Sequence, residues 1–569
     1  MDLQRTLIVA GLVVVGYLMI LQWNQDFNQH NVTAEQTASV TSSIPEVGPT
    51  TTLDNTDAPT IVEATDDDAP KLTEATASAV QPSQQIIKIT TDKLYIEINP
   101  EGGDIIKASL IDYPVTLPSE QNPSPEPFTI LESSKQRTFV AQSGLVGKNG
   151  PHSKGTPTYS SPKTTYELKD GEKQLVVDLS LSTAEGVELV KRYTFHRDDY
   201  AVDLEYLVNN KSSNSWKAVF YAQLKRDNSP DPSSTQGATS FRTFLGAAVK
   251  STEEKYHKLP FDEFKEEPFK EKVEKGYAAI LQHYFVAAWV PKHENPVEYS
   301  TRENDQSQYI VSMVDVNNPI VLAPGEQGKA SATLYVGPKI QDKLQALTDG
   351  LELTVDYGIL WFAAKPLFLL LGFIHSLIPN WGWSIIILTI MVKMAFFPLS
   401  AASYRSMANM RRIAPKMQEL KEKFGDDRQK MSQAMMELYR KEKVNPMGGC
   451  LPILVQMPVF IALYWVLMES VELRQASWLG WIHDLSQMDP YFILPLIMGA
   501  SMFVQQQLNP TPPDPTQARV MKLLPVIFTV FFLWFPAGLV LYWVVNNVLS
   551  ILQQWIITRR IESQAESKS

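Results

Sequence analysis

The chain has 569 residues, 51 Lys and Arg against 62 Asp and Glu, a net charge of −11 and a single cysteine, Cys450. The length exceeds one ordinary domain, and one cysteine excludes an intrachain disulfide, a cysteine metal cluster and, by its position, a lipoprotein anchor behind the N-terminal apolar segment. The charge is unevenly divided: residues 1–380 hold 33 basic and 49 acidic residues, net −16, while residues 381–569 hold 18 and 13, net +5. That division predicts an acidic solvated part followed by a mildly basic, apolar one.

Residues 1–24 begin with a short basic flank at Arg5 and an apolar core from Leu7 to Leu21. The sequence Leu21-Gln22-Trp23-Asn24 offers no small-x-small cleavage site, so an uncleaved signal anchor with a cytoplasmic N-terminus is expected. Residues 25–85 are rich in Thr, Ser, Ala, Asp and Pro, and such composition buries too little apolar surface to offset ordering entropy; a disordered linker is expected. Residues 86–340 change period to two. Ile87, Ile89 and Leu94-Tyr95-Ile96-Glu97-Ile98 alternate, Asp170-Gly171 reads as a hairpin turn, and further strands are expected at 174–181, 187–195, 200–208, 217–224, 278–290, 309–314 and 330–336. The turn spacing predicts a large antiparallel β-sandwich. Its scattered histidines show no metal-ligand spacing.

Within residues 341–378, the apolar run Leu360–Leu377 is interrupted by Lys365-Pro366. Parity places Tyr357–Leu377 in the outer interface as an amphipathic helix, because a span there would put the following basic loop outside. The second span, 379–403, carries Thr389 and a full charge, Lys393. A central lysine costs about 2.5–3.5 kcal/mol on insertion scales, so it needs water, a partner or a function; snorkelling to the interface is the bland alternative.

Residues 404–445 hold 11 basic against 6 acidic residues and read as a cytoplasmic helical hairpin. Ile413, Met417, Leu420 and Phe424 form one stripe, Met431, Met435 and Leu438 the other, with a break at Gly425-Asp426-Asp427. Arg411, Arg412, Lys416, Lys421, Lys423 and Arg428 stud the outer face. They serve as a solvated, topology-setting face or dock anionic lipid headgroups, ribosomal RNA or nascent chains. A third span (446–468), an outer loop (469–490), a fourth span (491–508), a cytoplasmic turn (509–519), fifth and sixth spans (520–535 and 538–558) and a cytoplasmic tail (559–569) complete the expectation. The fold class is thus a six-span polytopic α-helical membrane protein with a large periplasmic β-sandwich.

No phosphate-cradling loop, nucleophile elbow or zinc-protease helix appears. Polar side chains instead recur on short spans: Thr389, Lys393, Gln456, Asn546, Asn547, Gln553 and Gln554. Singly each reads as a helix–helix hydrogen bond; together with one cation they suggest a hydrated recess inside the membrane.

The motifs Asn445-Pro446-Met447-Gly448-Gly449-Cys450-Leu451-Pro452, Gln456-Met457-Pro458, Val471-Glu472-Leu473-Arg474-Gln475-Ala476 and Phe531-Phe532-Leu533-Trp534-Phe535-Pro536-Ala537-Gly538-Leu539-Val540-Leu541-Tyr542 resemble the YidC family of membrane protein insertases. The specific motifs fall within residues 381–558, and the resemblance extends loosely over the whole chain. It implies a Gram-negative inner-membrane protein with a periplasmic β-supersandwich, a cytoplasmic hairpin and a hydrophilic groove open to cytoplasm and lipid. Lys393 falls where many members carry arginine, and Tyr542-Trp543 where a Tyr-Tyr pair is common. The groove set is then Lys393, Thr389, Gln456, Tyr542, Trp543 and Asn546, and the apolar exit path Pro452, Met457, Phe460, Phe528 and Phe532. The implied partners are nascent membrane proteins, Sec translocon components, and the ribosome or anionic lipids, with no DNA, metal, cofactor or catalytic residue. The competing readings are a secondary transporter, against which no matching halves appear, and a membrane-anchored carbohydrate enzyme, against which no convergent His/Glu set appears.

Overall fold

The computed structural model describes residues 58–59, 85–118, 122–233, 243–424, 427–442, 451–508 and 515–566. The expected N-terminal span and most of the linker lie outside these residues.

From Ile87–Thr90 to Gln327–Pro338, strands form an eleven-stranded and an eight-stranded sheet. Pairing is antiparallel throughout except where Ile87–Thr90 meets Thr165–Glu167. The period-two pattern has the expected cause. In Val187–His196, residues Val187, Leu189, Tyr193 and Phe195 are each 1% exposed and enter the core that joins the two sheets, while Glu188 faces out. This strand pairs with Ala201–Asn210 across a tight turn in which Asp198 takes φ +59°. Two expectations need correction. Asp170-Gly171, with Gly171 at φ +87°, makes no hairpin: the strands beside it, Thr165–Glu167 and Gln174–Ser182, belong to different sheets. An Asp-Gly step specifies the turn, and the burial of flanking residues decides the sheet. The run 278–290 is likewise two strands, Ala278–Leu281 and Phe285–Pro291, paired to each other.

Lys191 also points inward and is 0% exposed. Its ammonium donates to the carbonyls of Gly102 (3.0 Å) and Ser143 (3.2 Å) on the opposite sheet and sits within 5.4–5.8 Å of the rings of Tyr159, Tyr193 and Tyr206. Burial pushes it down from its ordinary 10.5 to about 8, only partly offset by Asp104. Between those two values the unfolded chain binds more protons than the folded one, so stability rises with pH across this window. The full effect is about 3 kcal/mol at 1.36 kcal/mol per unit. Tyr193 and Tyr206, raised well above 10 by burial, oppose it above about pH 10. Urea unfolding of the sheet domain in the full chain should therefore show stability rising from pH 8 to 9.5, with this slope lost in Lys191→Met. Parallel slopes would contradict the assignment.

The helical region contains α1 (Trp361–Leu377), α2 (Trp381–Ala395), α3 (Phe397–Phe424), α4 (Arg428–Lys441), α5 (Leu451–Glu469), α6 (Ile493–Leu508), α7 (Pro515–Phe531) and α8 (Ala537–Glu566). Asn380 caps α2 by accepting from the Trp383 amide at 3.1 Å. Lys365-Pro366 does not interrupt α1, which runs continuously past it. Pro366 stands one turn into the helix, where it forfeits one backbone hydrogen bond. The second expected span does break, at Phe396, and the axis turns by 66° there. Pro398 has no N–H to give the Met394 carbonyl, and its ring crowds that carbonyl, which favours a break or kink at this point. The α3 helix then passes position 404 without a break, so the change of direction lies before Ser403 and not after it.

Gly358–Leu377 and Ala537–Arg560 are long and apolar enough to cross a membrane, and the bent pair Trp381–Ala395 and Phe397–Met410 makes a third if it is one span. Val455–Glu469 and Ile493–Leu508 are apolar but shorter. The described residues thus contain two or three candidate spans, short of the expected six.

The sheet domain is joined to the outer loop of the helical region. Val471, 1% exposed, enters the sheet-domain core, to which Leu344 and Leu351 also belong. Arg474 donates to the Pro114 carbonyl at 2.8 Å and lies 5.6 Å from the rings of Phe128 and Phe285. Gln475 donates to the same carbonyl at 2.9 Å. His283 meets the Met468 carbonyl through Nε2 at 2.9 Å. Burial, reinforced by Lys339, pushes His283 down to about 4, so the ring is neutral and that nitrogen carries the proton.

Candidate functional site

The site forms where α2 and α8 cross. Lys393, in the last turn of α2, is 7% exposed. Its ammonium donates to Ser550 Oγ at 2.7 Å and Asn546 Oδ1 at 3.3 Å, one turn apart on α8. Both acceptors are neutral, and among the described residues Lys393 forms no ion pair. An ammonium has three donors, so two contacts leave it capable of a further bond to an anionic or polar group. The cation, for which water, a partner or a function is expected from sequence, is therefore hydrogen-bonded but not charge-neutralised. Thr389, one turn earlier and 1% exposed, gives its hydroxyl to the Ile385 carbonyl at 2.6 Å within its own helix.

Neighbouring polar groups tie helices together. Asn547 donates to Ser501 Oγ of α6 at 3.0 Å. Gln553 donates to the Phe397 carbonyl at 3.3 Å, and Gln554 to that of Leu508 at 3.0 Å. Ser400 and Ser403, each 3% exposed, add to this polar interior. Ser550 was missed from sequence, although its position four residues after Asn546 places both on one helix face.

The aromatic residues gather into one cluster. Trp543 meets Phe460 edge-on at 4.5 Å and lies 5.1 Å from Phe532 and 6.1 Å from Phe528; Tyr542 stacks on Phe460 at 6.0 Å. The residues assigned separately to groove and exit path thus share a wall. Phe532 is buried at 3% exposure, Met457 is exposed and Gln456 is half-buried. The side chain of Pro452 lies outside the described part. So do those of Arg411, Lys421 and Arg428.

Of the remaining hairpin cations, Lys416 and Arg412 face Glu442 beyond the end of α4, at 2.6 and 3.9 Å, and Lys423 is exposed. The pairs bridge the two helices at the base of the hairpin. Their exposure, 58% and 65%, leaves both pairs screened by solvent and weak. Glu442→Ala should accordingly leave protein level and thermal midpoint nearly unchanged; a large loss of either would show that the hairpin depends on them. Among the described residues no group of three or more His, Cys, Asp or Glu is placed to hold a metal ion.

Two family models match the chain: the YidC periplasmic domain over residues 86–370 and the 60Kd inner membrane protein family over residues 373–565. A membrane protein insertase YidC from Stutzerimonas stutzeri (strain A1501) is 55% identical over 573 residues, covering 100% of both chains. One from Ectopseudomonas mendocina (strain ymp) is 53% identical over 592 residues, covering 100% of this chain and 99% of its own. A solved structure titled as an active YidC insertase with its first transmembrane domain resolved aligns at 16% identity, over 83% of this chain and 92% of its own, with a TM-score of 0.38. With a periplasmic-domain match that ends three residues before the inner-membrane match begins, and relatives alike from end to end, the chain belongs to the YidC family of membrane protein insertases.

Proposed function

We propose that this inner-membrane protein inserts nascent membrane proteins and helps them fold, alone or with the Sec translocon, through a hydrophilic recess around Lys393. The observation that carries the reading is a buried ammonium held by two neutral acceptors, in a chain alike over its full length to proteins named insertases. We place six spans in the membrane, both termini and the hairpin in the cytoplasm, and residues 25–356 in the periplasm, with α1 in the outer interface. The charge asymmetry of the loops supports this topology.

The mechanism follows from the cost of moving polar flanks through hydrocarbon. Lys393 offers a translocating acidic flank an attraction that water would screen, and a low-dielectric surround strengthens it. The α2 helix has 15 residues, roughly 22 Å at 1.5 Å per residue, against a hydrocarbon core of roughly 30 Å. A short element of this kind thins the bilayer locally and shortens the crossing. The apolar segment then leaves along the aromatic wall of Phe460, Trp543 and Phe528, driven by about 25 cal/mol per Å² of apolar surface removed from water. The scheme contains no bond-making step and draws on no nucleotide. Ribosome or anionic-lipid docking by the exposed hairpin cations belongs to the same proposal.

Reconstitution of the purified chain in liposomes with a short coat-type substrate tests it. Protease protection of the substrate's translocated flank is expected without nucleotide or other proteins, and its absence with a correctly oriented, folded chain would refute the reading.

A further inference from the structure

An apolar square lies on the face of the eleven-stranded sheet that points away from the inter-sheet core. In Trp216–Arg226, Ala218, Phe220 and Leu224 enter that core. The alternate residues therefore point outward, and Lys217, exposed, and Lys225, half-buried, among them suit a face that meets water. Val219 and Tyr221 break the pattern. Register sets Val146 opposite Val219 and Val314 opposite Tyr221, so four apolar side chains abut. All four are nonetheless buried, at 2–6% exposure. Part of the cover is local: His152 lies edge-on to Tyr221 at 6.0 Å, and Val316 packs from the adjoining turn. The rest comes from far upstream, where Ala58 packs on the square.

We propose that this square is a docking site for the Ala-Pro step of the chain's own N-terminal segment, occupied in cis by Ala58-Pro59. Three features fit this ligand. The alanine methyl can approach flush against a flat patch of valines and a tyrosine ring. Proline fixes its own φ, so less freedom is lost on docking. In sequence an aspartate precedes Ala58, opposite in sign to Lys217 and Lys225 of this strand face. The sequence carries this signature twice, as Asp57-Ala58-Pro59 and Asp68-Ala69-Pro70, so the site has a second ligand of the same chemistry within the same chain. Docking at Ala58 shortens the length of chain between the N-terminal apolar segment and the sheet surface. It also covers a patch that would otherwise be an exposed apolar liability.

Thiol labelling of the full chain in a Cys450→Ser background tests the site. Ala58→Cys should react with a maleimide about tenfold more slowly than Ala38→Cys, the ratio that a docking equilibrium of 1.4 kcal/mol gives. The protection should vanish when Val219→Lys is added, a change that matches Lys217 and Lys225 on the same face. It should also vanish with Pro59→Asp, which alters only the ligand and leaves the sheet intact. A synthetic peptide of residues 54–63 should restore labelling by competition. Equal rates at positions 58 and 38 would overturn the proposal. Protection that survives both Val219→Lys and Pro59→Asp would do the same, as would protection that grows with protein concentration, which would place another copy on the square.

Discussion

Replacing Lys393 by alanine is expected to lower insertion of a substrate with an acidic translocated flank by at least about tenfold, with little effect on one whose flank is neutral. An ammonium and a carboxylate about 4 Å apart attract by about 4 kcal/mol at an effective dielectric of 20, and tenfold requires only about 1.4. Lys393→Glu should be worse, because it repels the flank and sets a carboxylate before Asn546 and Ser550. Lys393→Arg should remain close to neutral, since it keeps the charge and can still donate to both. Paired substrates scored by protease protection give the comparison, and membrane-inserted protein levels control for folding. Lys393→Cys in a Cys450→Ser background should react with a water-soluble thiol reagent. An unreactive thiol, together with normal insertion of both substrates by the alanine variant, would remove Lys393 from the mechanism.

Val471→Asp is expected to open the joint between the sheet domain and the outer loop without unfolding either. Val471 is almost fully buried inside the domain's own core, which also holds Leu344 and Leu351. An ionised carboxylate there costs several kcal/mol, so the loop should leave and carry the charge to water. The strands keep their own pairing and should persist. Hydrogen exchange over residues 344–351 and 471–476 should then rise by about a hundredfold or more, as a loss near 3 kcal/mol implies. Exchange in Val187–His196 should hardly change, and Val471→Ile should behave like the parent chain. Unaltered exchange on both sides of the joint would show that the contact carries no stability.

The residues differ in how far they could be read from sequence. Lys393 was legible because a single charge in an apolar run is costly wherever it lies. Its partners were not, since Asn546 and Ser550 stand 153 and 157 positions away and no period links them. Strand alternation was legible at Val187–His196, where one face is core. It failed at Asp170-Gly171, because turn chemistry is local and sheet membership is decided by distant packing. Pro398 was visible, but the apolar run continuing on both sides masked the break at Phe396. Phe460, Phe528 and Trp543 were named through the family resemblance, but their union in one wall was not legible, because they lie on three helices and no period links them.

The break at Phe396 has a mechanical corollary. Beyond Met407, which packs with Tyr404 on Ile557 of α8, α3 runs on for some 17 residues, roughly 25 Å at 1.5 Å per residue, beside the returning helix α4. A swing of roughly 10° at its root moves the far end by roughly 4 Å. Lys393 lies on α2, before the break, and is hydrogen-bonded to α8, so such a swing leaves it in place. Should the hairpin dock a load and Lys393 receive it, as proposed above, the far end near Lys423 would follow the load as it sways, while the ammonium kept its place against α8.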